Sequence, residues 1–158
     1  MRVRAFAPLA AALLGLAGSL AATLALHRAA SSALDGVLTE RLRGAGETAA
    51  RLLEAAPATP AQLRAIMEAN ALDGAYLVSP SLVVLADANG AAGVAADVLR
   101  VDAALVEAAL RGEASVGRAY DVGAVSIETG YFPVRGPGGA PAAVLALEAG
   151  KAFAGARA

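Results

Sequence analysis

The chain contains three tyrosines, Tyr76, Tyr120 and Tyr131, and each falls in or beside a segment that reads as a β-strand. Arg100 precedes a helical segment, while Arg118 and Arg135 stand in strand-like ones. A phenol carries one hydroxyl on an apolar ring, and a guanidinium grips a carboxylate through two parallel N–H bonds. Tyr131 and Arg135 are four residues apart and therefore share one face of a strand, whereas Glu128 takes the other. Such a set suits the capture of a small carboxylate in a mostly apolar pocket. It equally suits core tyrosines with wet hydroxyls and surface arginines, and both readings stand.

Other chemistries lack their residues. There is no cysteine, and the one histidine, His27, sits at the edge of an apolar run. Neither a catalytic triad nor a zinc site is expected from such a set. Gly136-Pro137-Gly138-Gly139 joins two strands and reads as a turn, since a phosphate cradle would lie between a strand and a helix. No catalytic residue, metal or cofactor is expected, and the chain itself does not read as an enzyme. A net charge of −1 offers nucleic acid no electrostatic footprint.

These residues must be positioned by one domain, for which 158 residues leave room. Hydrophobic residues make up 58% and charged residues 17%, against roughly 45–50% and 25% in soluble proteins. Alanine supplies much of the excess, with 45 residues. So apolar a chain does not stay disordered.

The N-terminus carries a distinct apolar run. Ala5 to Leu26 is 22 residues without a charge, and as a helix it would span about 33 Å, enough for a hydrocarbon core of about 30 Å. Arg2 and Arg4 precede it, and the first acid after it is Asp35. The expected arrangement is a cytoplasmic 1–4, a transmembrane helix over 5–26 in the inner membrane, and an extracytoplasmic, periplasmic remainder. A cleaved signal peptide ending near Thr23-Leu24-Ala25 is the competing reading. The run is longer than the usual 7–15-residue apolar region of such peptides, which favours the anchor.

Beyond the anchor, 27–56 reads as a long helix. Leu38, Leu42, Ala45, Ala49, Leu52 and Ala56 recur at 4-3-4-3-4 spacing, a stripe fit either for a homodimer seam or for packing on the domain's own sheet. Thr59, Pro60 and Gln62 spell a capped start for a second helix reaching about Asn70, with Leu63, Ile66 and Met67 inward. Ala75–Val78 and Leu82–Ala86 read as a hairpin. Val94–Leu110 reads as a helix, broken near Arg100, with Val101, Leu105, Val106, Ala109 and Leu110 on its apolar face and Gly112 as its stop. Ser115–Asp121, Val125–Val134 and Ala142–Glu148 complete five strands. The order α-α-β-β-α-β-β-β predicts an α+β fold: a five-stranded antiparallel sheet with flanking helices.

Two stretches carry a resemblance. Leu72-Asp73-Gly74-Ala75-Tyr76-Leu77-Val78 with Val84-Leu85-Ala86-Asp87 resembles the opening hairpin of Cache domains, the PAS-like extracytoplasmic sensors of bacterial receptors. Gly130-Tyr131-Phe132-Pro133-Val134-Arg135, a glycine turn, and Ala143-Val144-Leu145-Ala146-Leu147-Glu148-Ala149 resemble their closing hairpin. The resemblance covers about residues 34–153 and leaves the middle poorly matched. It implies a PAS-like sensor over 57–153, with 154–158 leading toward a second membrane helix. It also implies a small-molecule ligand held near Tyr76, Arg100, Asp102, Tyr120 and Tyr131, under the segment Gly90–Glu113. The function implied is the input domain of a receptor, most simply a two-component histidine kinase whose catalytic part lies outside this chain. One departure is Ser79-Pro80-Ser81-Leu82, where the family has Asp-Pro-x-Gly. The alternative is a membrane-anchored binding or assembly module with no signalling role.

Overall fold

The computed structural model describes the backbone of residues 6–122 and 125–152. Side chains are described over 19–150 except at positions 31, 34, 35, 97, 98 and 122–124. The chain divides into two units, residues 1–37 and 38–158. One helix, α1 (Phe6–Glu54), runs through the first unit and into the second. In the first unit the described apolar side chains Leu20, Leu24 and Leu26 are exposed. Among the described residues no helix is long and apolar enough to cross a membrane. The side chains of 5–18, most of the span expected over 5–26, lie outside the described residues, as do the expected segments 1–4 and 154–158.

The second unit is α+β. After α1 come α2 (Pro60–Ala69), β1 (Gly74–Val78), β2 (Val84–Asp87), a 3₁₀ segment (Asp97–Asp102) and α3 (Ala103–Leu110). Then follow β3 (Ser115–Val116), β4 (Tyr120–Val122), β5 (Val125–Arg135) and β6 (Pro141–Ala152). The strands form one antiparallel sheet in the order β2-β1-β6-β5-β3, with β4 also paired to β5. β1 and β6 lie in the middle of the sheet and read as nearly continuous apolar runs, as strands covered on both faces do. Successive side chains alternate between those faces. Ala143, Leu145, Leu147 and Ala149 of β6 meet Leu42, Ala45, Ala49 and Leu53 of α1 and Leu63 of α2. Val144 and Ala146 join Leu99, Val106 and Ala109 on the opposite face.

The local signals for α2 and α3 hold. The Thr59 hydroxyl accepts from the Gln62 amide at 3.2 Å, and the Gln62 side chain accepts from the Thr59 amide at 2.9 Å. Gly112 follows α3 with φ +97°, and Glu113 N–H closes back on Ala108 O. That left-handed geometry costs glycine little, and it ends the helix.

Four expectations are corrected. The sheet has six strands among the described residues, because the predicted strand Ser115–Asp121 divides into β3 and β4. Gly117 still donates to Thr129 O at 2.8 Å, but the Asp102 carboxylate lies against it and the ladder resumes only at Tyr120. The helix expected from Val94 begins later. Val94 and Ala96 instead bond to the edge at Val84 and Leu82, and a 3₁₀ turn precedes α3. The change of period turns Val101 outward, where it is 82% exposed. On α1 the inward stripe ends at Leu53, while Leu52 and Ala56 are exposed. The face therefore packs on the domain's own sheet at a helical 3.6 period, and a strict heptad line through Leu52 is not the buried one. Lastly, a register shift between Val134 and Arg135 takes Arg135 out of the alternation with Tyr131.

Small side chains on α1 let it lie close to the sheet. The Phe132 ring, fully buried, occupies the space beside Gly46, so that a Cβ there would run into it. A Cβ at Gly130, beneath the same ring, would sit 2.7 Å from Phe132 Cε2. Gly46→Ala should therefore cost about 1–3 kcal/mol through overpacking, read as a lower denaturant midpoint. Gly44→Ala, with open space around its Cα, should be neutral or stabilise the helix by up to about 1 kcal/mol. Equal effects of the two substitutions would exclude this close contact.

Candidate functional site

The sheet face opposite α1 gathers most of the polar chemistry. In β1, β6, β5 and β3 the register places Tyr76, Ala146, Tyr131 and Ser115 side by side. The neighbouring row is Gly74, Glu148 and Thr129, continued to Gly117 by the hydrogen bond from its amide to Thr129 O. Directly paired residues of antiparallel strands point to one face. The small Ala146 thus separates the two tyrosine rings, and Glu148 follows two residues along on the same side.

The hydroxyls are spent on carboxylates. Tyr76 Oη donates to Glu148 Oε1 at 2.5 Å, and Tyr131 Oη donates to Asp102 Oδ2 at 2.9 Å. Asp102 occupies the N-cap position of α3 yet makes no side-chain cap there, which leaves its carboxylate for the cluster. Glycines make room for both acids. A Cβ on Gly74 would lie 2.8 Å from Glu148 Oε2, and one on Gly117 would lie 2.9 Å from Asp102 Oδ2. Tyr131 is 1% exposed and Tyr76 8%, whereas Asp102, Tyr120 and Glu148 are half-buried at the rim.

Of the residues expected at a site, Tyr76, Asp102, Tyr120 and Tyr131 come together. Arg100 is exposed at the end of the 3₁₀ segment, and the charges felt by the three tyrosine hydroxyls are those of Glu148 and Asp102. Arg135 is exposed and donates to Gly139 O in the β5–β6 turn at 2.8 Å. Glu148 and Thr129 were not among the expected residues. A signal for Glu148 did exist, namely a lone acid inside an otherwise apolar strand; that it faces Gly74 and Tyr76 depends on the β1–β6 register. Among the described residues no group of three histidine, cysteine or acidic side chains is placed to hold a metal.

Burial raises the pKa of Tyr76, and the Glu148 charge and hydrogen bond raise it further. Burial likewise raises Tyr131, followed by its hydrogen bond to Asp102 and the charge there, while a hydrogen bond to Thr129 pulls weakly the other way. Tyr120 is raised by burial first and by the Glu148 charge second. A phenol raised in the folded state holds its proton more tightly there than in the unfolded chain. The stability this represents is complete below the ordinary value of 10.0 and is lost as the pH rises above it.

No family model matches the sequence, and no curated protein matches it either.

With three tyrosines and no tryptophan, phenolate absorbance reports this face alone. In an alkaline titration the native protein should show no phenolate step at pH 10, and phenolate should appear at higher pH together with loss of far-UV circular dichroism. Denatured protein should titrate near 10. Ionisation of two or three tyrosines near pH 10 with the fold intact would show that the hydroxyls are not held as described.

Proposed function

We propose that this chain is a ligand-sensing input domain of a transmembrane signalling receptor. In this reading it is a Cache-type, PAS-like sensor held at the inner membrane by its N-terminal helix, with the sheet domain outside. A histidine kinase is the output that the resemblance in the two hairpins favours. The observation that carries the reading is the tyrosine–carboxylate cluster, set into the sheet face away from α1 and covered by the segment between β2 and β3. A packed core needs no such group of hydroxyls and acids; a recognition site does. The exposed Leu20, Leu24 and Leu26 on the first part of α1 support an apolar environment for that helix.

A route for the signal is present in β5. Thr129 faces the cluster, and its neighbour Glu128 faces α1, where it accepts a hydrogen bond from the Thr39 hydroxyl at 2.6 Å. Glu128 is 5% exposed, so displacement of β5 by a ligand at Thr129 would be felt as a change in a buried polar contact with α1. Interfaces of this kind respond by switching arrangement more readily than by bending. A homodimer through α1 would give the displacement a second helix to act upon.

The test is a thermal-shift screen of small polar metabolites against the full chain in mild detergent. A ligand at about 100 times its Kd adds about 2.7 kcal/mol to stability, an upward shift of about 5–10 °C for a domain of this size. Tyr76→Phe and Tyr131→Phe, both keeping the ring, should reduce that shift. No stabilising compound, or a shift that both variants retain in full, would overturn the assignment of the site.

A further inference from the structure

We infer that the ligand recognised at this cluster carries a positively charged amino group, an inference that rests on the binding role proposed above. The site holds two carboxylates, and among the described residues no basic side chain forms an ion pair with either one. Their partners are phenols: Tyr76 for Glu148 and Tyr131 for Asp102. A carboxylate offers about four acceptor positions, and one hydrogen bond to each acid leaves most of them open. The tyrosine hydroxyls have given their protons to the acids, so what they present to a third partner is an oxygen lone pair. Thr129, within hydrogen-bonding reach of Tyr120 and Tyr131, adds another oxygen.

A second group on this face is also unspent. Ser115 stands opposite Tyr131 in the register, and its hydroxyl oxygen is buried with no hydrogen-bond partner among the described residues. The inventory is therefore rich in acceptors and negative in charge, and its walls are aromatic. An ammonium group supplies three N–H donors and the missing charge, and tyrosine rings attract it through their faces. A small carboxylate would meet two like charges with no guanidinium beside them, since Arg135 is engaged in the β5–β6 turn and the Arg100 charge does not reach the tyrosine hydroxyls. A divalent metal prefers more carboxylate ligands than converge here. Gly74 and Gly117 fit the same picture, because each leaves space at which a carboxylate oxygen lies without a methyl group in the way.

The experiment compares two ligand panels on the full chain in detergent. One contains propylamine, 1,4-diaminobutane and agmatine as hydrochlorides, and the other contains sodium acetate, propionate and succinate at equal ionic strength. At least one amine should raise the melting temperature, and Asp102→Asn or Glu148→Gln should weaken its binding by about tenfold or more, as loss of a charge-assisted contact does. Asp102→Asn, at a half-buried rim position, carries the test alone if Glu148→Gln does not fold. Stabilisation by carboxylates and not by amines would overturn this inference and leave the binding role standing. Amine binding undiminished in both variants would overturn it too. Silence from both panels and from the wider screen would remove the binding role with it.

Discussion

Strand Pro141–Ala152 lies between β1 and β5 with helices over both of its faces, and the rest of the domain answers to that position. Its alternate residues Ala143, Leu145, Leu147 and Ala149 require an apolar cover, which α1 and α2 provide. Its other residues, Val144 and Ala146, require a second cover, which the 3₁₀ segment and α3 provide. Glu148 follows Val144 and Ala146 on that second face. An acid at such a place must be given hydrogen bonds and room. The Tyr76 hydroxyl gives the first, and the absent side chain of Gly74 gives the second.

The same logic, applied one element further out, explains Asp102. A residue at the start of a helix ordinarily turns its carboxylate back to the helix amides. Here that carboxylate reaches Tyr131 instead and lies against Gly117, which ties the 3₁₀–α3 segment to β5 and interrupts the edge between β3 and β4. Stability and recognition draw on the same groups. Phenols that hold two acids in place at neutral pH are also the walls that a bound cation would touch.

The two faces of β5 differ in kind at adjacent residues. Thr129 belongs to the polar cluster and Glu128 to the contact with Thr39 of α1. A strand cannot move one of these without the other, because they share a peptide bond. That covalent link joins the candidate site to the long helix without any chain of side-chain contacts through the core.

Much of this was legible in the residues. The capping box at Thr59 and Gln62, the stop at Gly112, the two hairpins and the inward Leu63 follow from interactions within a few residues of one another, so the sequence by itself determined them. Three tyrosines on strands were also enough to name most of the cluster. What only the tertiary structure decided were long-range matters: the register that puts Glu148 beside Gly74 and between Tyr76 and Thr129, the edge bonds that straighten Val94–Ala96, and the choice of Leu53 over Leu52 on α1. A change of one residue in strand register sends every side chain to the other face, and nothing local in Leu145-Ala146-Leu147-Glu148 fixes it. The charge of the site turned on that register. The arginines that promised an anion site lie elsewhere, and the acids beside the tyrosines were brought there by strand pairing.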